Sequence, residues 1–441
     1  MREKNLLFVR IIFFKPKEVL NMMKNDFPPK NLKKDLMDRR DFIKTLGLAG
    51  GAVLATAGSG PFFHVRAAEP EIRIGHLSSF SGPYVALGTR IDKGLTLAFG
   101  LSKYKDRVKF FKEDSQDKPE VSVEKALKLY QKTKIDILVG PIAGHASLAV
   151  SNALTPLKKL LLGAHGGNKW LAGKNCSPYT FLIGHTMYNM SAPIAPWFYK
   201  NVGDKVFLVG ADYSTGRDLA LHFREEFEKL GGKVVGEGYA PLGTTEYTHY
   251  LTQVRNAKPK PDGCFGMYAG SDGINWVRQF SEFGLKKDGY MYVGGLGVFQ
   301  TVLLDAMGDA CVGFWDCMHT VPYIDNPQNN IFMPAWKKAY PDELIEENGM
   351  LGFDVGAAII KALDAVKGDA KNTEGLVKAL HTIEYDSPRG HIKMGENNCT
   401  IVPIYARKVV KKDGKYRHEA TLLGHFGTPH GSQYEWGQCK L

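Results

Sequence analysis

The sequence lacks the paired cysteines of metal and redox sites. Its six cysteines include no Cys-x-x-Cys pair, so zinc-binding and thiol-exchange motifs are unsupported. No cysteine ends the leader, which argues against a lipid anchor there. In an oxidising compartment two disulfide pairs stay open, Cys399–Cys439 and Cys176–Cys264, and the spacing establishes neither of them.

The sequence also lacks a long apolar run and a basic block interleaved with aromatic residues. Residues 45–60 are too short and too rich in glycine for a stable transmembrane helix. The net charge is +11, but residues 1–68 hold 13 basic and 6 acidic side chains, which leaves 44 basic and 40 acidic ones in the remainder. The body is only mildly basic, so nucleic-acid binding is set aside.

Residues 1–68 are typical of a leader that carries an export signal. A charged segment with the arginine pair 39–40 precedes the apolar run, and small residues follow at Ala67-Ala68, where we expect cleavage. The pattern resembles the twin-arginine signal, whose pathway exports folded proteins, although Asp38 stands where that signal has Ser or Thr. We expect a periplasmic protein, with the general secretion route as the alternative.

The body alternates short apolar strands with amphipathic helices. Strands are predicted at 72–76, 108–114, 135–139, 160–163, 205–210, 233–240, 263–267 and 291–295. Helices are predicted at 88–101, 120–132, 146–158, 190–201, 217–230, 248–257, 273–283, 329–339, 352–366 and 373–382. Strands are predicted again over 390–411, with a hairpin at 412–415. This alternation predicts an α/β protein with two doubly wound halves and a cleft between them.

The loops that follow the predicted strands are rich in glycine, hydroxyl groups and aromatic rings. The stretch 72–88, IRIGHLSSFSGPYVALG, runs from a strand to a helix through Ser79, Ser81 and Tyr84. In open parallel sheets, ligands bind at the carboxyl ends of the strands. We therefore expect these loops to line the cleft, although the stretch 72–88 alone fits an ordinary strand-to-helix loop equally well.

Taken together, these segments resemble the type I periplasmic solute-binding proteins of the leucine/isoleucine/valine-binding family, the solute receptors of branched-chain amino-acid ABC importers. The resemblance rests on the order of IGHLSSFSGPYVALG, KEDSQDKPE, ILVGPIAGHASLAV, LVGADYSTG and VRQFSEFGLKKDGYMYVGGLGV. It implies two Rossmann-like lobes joined by three hinge crossings. Residues 70–186 and 322–388 would form one lobe, and residues 187–320 and 390–441 the other.

The resemblance also implies what the protein does. A non-catalytic protein of this family needs no cofactor, binds a small molecule between its lobes, and presents it to an ABC permease and its ATPase subunits. The family holds the ligand carboxylate with backbone amides, and those positions fall here on Gly144, His145, Ala164, His165 and Gly166. The other ligand-binding positions that it implies are Ser79, Ser81, Tyr84, Leu87, Tyr188, Tyr213, Tyr268, Ala269 and Leu296.

One position departs from the amino-acid binders. They place an acidic residue after the strand predicted at 291–295, where it pairs with the ligand ammonium, and Leu296 stands there in this chain. A buried ammonium without a partner costs several kcal/mol. We therefore expect an apolar or aromatic carboxylate as the ligand. A branched-chain amino acid or an amide is the alternative, with Asp272 or Asp212 supplying the charge.

Other classes of function stay open at this point. The segment 269–273 resembles a nucleophile elbow around Ser271, but the order of residues assigns no histidine and acid to it. The histidines His145, His165 and His185 lie on different loops without a close ligand pair, which disfavours a metal site. A ligand sensor that works without transport would carry the same features, and neighbouring permease genes would separate the two.

Overall fold

Two sheets organise the protein in the computed structural model, which describes residues 69–82, 84–165, 167–428 and 438–441. The predicted export signal and the cleavage point at Ala67-Ala68 lie outside the described residues. Residues 69–441 form one compact unit. Among the described residues, no helix is both long and apolar enough to cross a membrane.

The first sheet has five parallel strands in the order β2-β1-β3-β4-β5. They are β1 (Ile72–Ser78), β2 (Val108–Asp114), β3 (Ile137–Val139), β4 (Leu161–Gly163) and β5 (Thr180–Leu182). Every residue of β3, β4 and β5 is buried, as expected for parallel strands covered on both faces. Strand β5, at the edge of this sheet, was not predicted.

Four helices follow strands of this sheet. They are α1 (Val85–Gly100), α2 (Pro119–Lys128), α3 (Gly144–Leu154) and α4 (Lys169–Ala172). Helix α2 continues as a turn of π-helix over Leu129–Thr133, so the helix predicted at 120–132 is present with its last turn widened. Together with the first sheet, these helices form what we call the first lobe.

The second sheet has nine strands. Five of them are parallel neighbours, in the order β10-β9-β8-β6-β7. Its strands are β6 (Lys205–Ala211), β7 (Lys233–Ala240), β8 (Gly263–Met267), β9 (Met291–Gly294), β10 (Trp315–Met318), β11 (Glu384–Ser387), β12 (Gly390–Met394), β13 (Thr400–Lys412) and β14 (Lys415–Phe426). Strand β13 adds antiparallel to β10. The predicted hairpin at 412–415 is confirmed, with Val409 opposite His418.

The remaining helices belong to two groups. Those that accompany the second sheet, and with it form the second lobe, are α5 (Ile194–Asn201), α6 (Ser214–Lys229), α7 (Thr248–Asn256), α8 (Gly270–Glu282) and α9 (Leu304–Met307). Three more follow β10: α10 (Pro327–Ala339), α11 (Glu347–Ala365) and α12 (Thr373–His381). Helix α11 begins five residues before the predicted position 352, because the Glu346 side chain caps it by accepting from the Gly349 N–H at 2.9 Å.

Helix α11 belongs to the first lobe, because it crosses α1 at very close range. An added Cβ at Gly94 would lie 2.0 Å from the carbonyl oxygen of Gly349. One at Gly352 would lie 2.0 Å from the carbonyl oxygen of Ile91. No other side chain fits at these two positions, so the glycines fix how α11 lies on α1. The chain therefore passes between the lobes after β5, after β10 and before β11.

One disulfide joins Cys176 to Cys439. Both predicted pairs, Cys399–Cys439 and Cys176–Cys264, are therefore wrong. Cys264 lies on the central strand β8 with 0% of its surface exposed, and Cys399 is 1% exposed. Both thiols are free. Cys264 lies in one buried hydrophobic cluster and Cys399 in another.

Candidate functional site

Two tyrosines bring the lobes together at the carboxyl ends of the strands. Tyr84 follows β1 in the first lobe and Tyr213 follows β6 in the second, and the two phenols are close enough for each to influence the pKa of the other. Burial is the main reason why the pKa of each phenol is raised. The structure thus brings together two of the predicted site residues, one from each side of the cleft.

Two aspartates flank this tyrosine pair, one from each lobe. Asp117 follows β2 and Asp272 lies in the first turn of α8, and the charge of each raises the pKa of Tyr84. Asp272 is 6% exposed, and its Oδ2 accepts from the Gly243 N–H at 2.9 Å. Burial raises the pKa of the Asp117 carboxyl, while the Ser79 hydroxyl lowers it. The tyrosine pair is therefore bordered by carboxylate acceptors.

The predicted ligands Ser79 and Ser81 hold the loop after β2. The Ser79 hydroxyl donates to the Asp117 carboxylate, and the Ser81 hydroxyl donates to Oδ2 of Asp114 at 2.6 Å. The Phe80 N–H donates to Oδ1 of Asp114 at 3.0 Å. These three bonds tie the loops after β1 and β2 together, which fixes the loop that carries Tyr84.

The N-terminus of α3 faces the same edge of the first sheet. Helix α3 begins at Gly144, and the first N–H groups of an α-helix have no partner inside it. With the positive end of the helix dipole, they form a site for an anion. The ring of the exposed His145 has its Nε2 2.9 Å from the Asp117 carbonyl oxygen. The imidazole of His145 therefore connects two loops, and the backbone amides are the groups suited to an anion.

Three imidazoles pack in a row behind this edge, which we call the imidazole stack: His165 lies edge-on to His185, and His185 is stacked on His319. The ring centroids of His165 and His185 are 4.7 Å apart, and those of His185 and His319 are 4.8 Å apart. Burial lowers the pKa of His165 to about 4 and holds the pKa values of His185 and His319 well below their usual range. All three are neutral at pH 7. Ala164 is buried beside them, and the predicted ligand Gly166 lies outside the described residues.

A buried arginine connects this stack to the segments that pass between the lobes. The Arg389 guanidinium donates to the Asp354 carboxylate and, at 3.0 and 3.2 Å, to the carbonyl oxygens of Gly184 and Ile183. It also donates to Nδ1 of His319 at 2.9 Å. Because arginine only donates, His319 accepts at Nδ1 and carries its proton on Nε2.

A second buried arginine, Arg407, lies on β13. It donates to both carboxylate oxygens of Asp316 at 2.8 and 2.6 Å, and to Oε1 of Glu347 at 2.8 Å. Neither Arg389 nor Arg407 was predicted from the sequence as part of the site. For Arg407 a signal existed, because the basic pair Arg407-Lys408 interrupts the apolar run of β13, and Arg407 is the buried member of that pair.

Two predicted ligand positions are part of the core of the second lobe. Tyr268 is 0% exposed and packs against Tyr247 and Trp276, with ring centroids 5.1 and 4.9 Å away. Leu296, in the loop after β9, is 5% exposed. Both side chains are members of the buried hydrophobic core.

The remaining predicted positions lie on separate elements. Leu87 packs against the core from α1, and Ala269 is the N-cap residue of α8. The Tyr188 hydroxyl contacts Oε1 of Glu226 on α6 at 3.4 Å. Ser271 is exposed in the first turn of α8. Within the described ranges, no group of three His, Cys, Asp or Glu side chains is arranged to hold a metal ion.

The chain matches a known family over most of its length. The sequence model of the periplasmic binding protein family matches residues 71–415. Leu/Ile/Val-binding protein homolog 6 of Brucella melitensis is 24% identical over 380 residues, which cover 84% of this chain and 94% of that protein.

Solved structures give the same result. An ABC transporter substrate-binding protein from Sphaerobacter thermophilus is 27% identical with a TM-score of 0.77, over 81% of this chain and 98% of that chain. An ABC transporter solute binding protein from Rhodopseudomonas palustris BisB5, in complex with 3,4-dihydroxybenzoic acid, is 26% identical with a TM-score of 0.73, over the same 81% and 98%. The chain therefore belongs to the periplasmic binding protein family, and it is a type I ABC transporter substrate-binding protein of the Leu/Ile/Val-binding group.

Proposed function

We propose that the protein is the exported, non-catalytic receptor of an ABC importer and binds a small aromatic or apolar carboxylate in the cleft between its lobes. The observation that carries this proposal is Leu296. It is a 5% exposed apolar side chain in the loop where amino-acid binders of this family place the acidic partner of the ligand ammonium.

Three features support a carboxylate with an aromatic body. The amides at the start of α3 suit an anion. The rings of Tyr84 and Tyr213 offer flat apolar faces with polar ends to a ligand between the lobes. The structural relative from Rhodopseudomonas palustris BisB5, at 26% identity, holds 3,4-dihydroxybenzoic acid.

In the proposed mechanism the ligand acts as a bridge. It would bind the amides of the first lobe and the aromatic wall of the second lobe, so the closed arrangement gains contacts that the open one lacks. Hinge motion about the three passages between the lobes would then present the closed form to the permease. No covalent step is required of Ser271.

A branched-chain amino acid is the second candidate, and one observation favours it. Asp272 is a buried carboxylate beside the tyrosine pair. It is therefore placed to supply the charge that an ammonium group needs.

Thermal-shift and calorimetric titrations of residues 69–441 test the proposal. We expect benzoate and 3,4-dihydroxybenzoate to raise the melting temperature, because a ligand at about 100 times its Kd stabilises the folded state by about 2.7 kcal/mol. We expect leucine to leave it unchanged. Leu296→Glu should weaken the binding of the aromatic acids. Asp272→Asn should abolish ligand binding only if the ligand carries an ammonium group. Tight leucine binding without benzoate binding would overturn the proposal.

We also propose that residues 1–68 direct export through the twin-arginine pathway. The arginine pair 39–40 and the small residues at Ala67-Ala68 support this proposal. Replacing the pair with two lysines should keep the protein in the cytoplasm, and N-terminal sequencing of the wild-type exported protein should begin next to residue 68. Export of the lysine variant at the wild-type level would instead indicate the general secretion route.

A further inference from the structure

Two buried charged side chains from other parts of the chain hydrogen-bond to the loop 296–301. Arg407 donates through Nη2 to the carbonyl oxygen of Phe299 at 3.1 Å. Glu347 accepts at Oε1 from the Thr301 N–H at 3.3 Å and from the Thr301 hydroxyl at 3.1 Å. Arg407 and Glu347 are also bonded to each other at 2.8 Å. The ion pair thus anchors, through hydrogen bonds, the carboxyl-terminal half of the loop that carries Leu296.

The two members of this ion pair come from different lobes. Glu347 is the first residue of α11, which is fixed on α1 of the first lobe by the glycine contacts. Arg407 lies on β13, which is paired with β10 in the second sheet. Thr301 also belongs to the second lobe, in the turn before α9. The contact of Glu347 with Arg407 and Thr301 therefore depends on how the lobes are placed.

Burial makes these bonds strong and directional. The side chains of Arg407 and Glu347 are both 0% exposed. The second carboxylate oxygen of Glu347, Oε2, is buried without a hydrogen-bond partner in the described part of the chain. Separating the lobes at this point would break the bonds of Glu347 to Arg407 and Thr301. Asp316, which accepts two bonds from Arg407, keeps the guanidinium in place in either case.

We propose that Glu347 and Arg407 form an interlobe clamp that positions the loop 296–301 and stabilises the closed arrangement of the lobes. Both are positioning residues that act on the ligand through this loop. This inference rests on the proposed function, because the loop matters for binding only if the ligand lies in the cleft. The clamp raises ligand affinity by increasing the fraction of the protein that is already closed.

Thr301→Val tests the clamp, because it removes one bond to Glu347 and keeps the shape of the side chain. Thr301→Ser is the matched control, since it keeps the hydroxyl. Spin labels on Glu124→Cys of α2 and Arg278→Cys of α8 report the distance between the lobes, because both positions are exposed. The four free cysteines of the protein are buried, so they do not compete for the label.

Without ligand, we expect the valine variant to shift towards longer distances between the labels and the serine variant to match the wild type. With 3,4-dihydroxybenzoate as the probe, we expect Thr301→Val to raise Kd about tenfold, the size of one hydrogen bond to a charged group. Unchanged label distances in Thr301→Val would overturn the clamp, even if its melting temperature fell. Failure of the wild type to bind 3,4-dihydroxybenzoate would count against the proposed ligand class, and the distance measurement would still decide on the clamp.

Discussion

The two buried arginines are built into opposite electrostatic surroundings. Arg389 faces one carboxylate, Asp354, and its other donors reach carbonyl oxygens and the neutral His319. Arg407 faces two carboxylates, Asp316 and Glu347. Both arginine side chains are 0% exposed. The first cluster is therefore balanced in charge, and the second has one negative charge in excess.

This difference explains which groups titrate around each arginine. Beside Arg389, burial and then the guanidinium charge keep the pKa of His319 well below its usual range. Beside Glu347, burial and then the excess negative charge raise the pKa of Glu346 to about 7. His319 thus resists taking up a proton, and Glu346 holds one longer than a carboxyl normally does. The two clusters should give stability opposite dependences on pH.

Removing each arginine should give the largest effects. We expect Arg389→Met to cost about 3–5 kcal/mol of unfolding free energy, because Asp354 is left buried without a partner. We expect Arg407→Met to cost more unfolding free energy, because it leaves two buried carboxylates, Asp316 and Glu347, without their partner. Urea unfolding measures both. Adding Asp354→Leu should recover part of the Arg389→Met loss, and equal losses for the two arginines would contradict the comparison.

Acid should destabilise the protein through the imidazole stack. The folded-state pKa values of His165, His185 and His319 lie below the unfolded-state value, so the unfolded chain binds more protons as pH falls. We expect stability to decrease from about pH 6.5 downwards, and His185→Phe to make that decrease smaller. His391→Gln is the control, because its carboxylate neighbours, Asp386 first, raise the pKa of that exposed histidine. A His185→Phe variant with an unchanged acid slope would refute the assignment.

Glu346 should give the opposite dependence of stability on pH. Its folded-state pKa of about 7 lies above the ordinary glutamate pKa of 4.5, so the folded protein keeps a proton that the unfolded chain has already lost. Its contribution to stability is therefore greatest below about pH 4.5 and is lost as pH rises towards 7. We expect Glu346→Gln to flatten this part of the stability profile. Circular dichroism melts across the range measure it, and a steeper profile in the variant would show that Glu346 is charged at neutral pH.

A neutral hydrogen bond to the backbone of Arg389 should have the smallest effect. The Tyr405 hydroxyl on β13 donates to the Arg389 carbonyl oxygen at 3.0 Å. We expect Tyr405→Phe to cost roughly 0.5–1.5 kcal/mol in urea unfolding, as for a typical neutral hydrogen bond. Tyr199→Phe, at a side chain that is 38% exposed, should cost almost nothing. A loss at Tyr405 as large as that of Arg389→Met would mean that charge does not distinguish these clusters.

The fold was largely predictable, because its signal is local. Strand β8, Gly263–Met267, has the predicted bounds, since a five-residue apolar run between a helix and a glycine-rich loop has few alternatives. The start of α11 was misplaced because Glu346 is not among the usual capping residues.

The junction between the lobes was not predictable, because its partners are far apart in the chain. Arg407 lies 91 residues from Asp316 and 60 from Glu347. No local pattern selects one acid among 46 acidic residues. The strand-end loops that carry Tyr84 and Tyr213 were easier to place, because parallel strands bring their carboxyl ends to one edge whatever the intervening sequence.

The disulfide has a consequence for the order of events in making the protein. Cys176 and Cys439 are separated by 263 residues, so their thiols meet only when folding has brought distant parts of the chain together. On the twin-arginine route proposed above, the chain folds in a reducing compartment and meets an oxidising one only after export. The native structure must then arise with free thiols, and the covalent bond is added last, to a finished receptor.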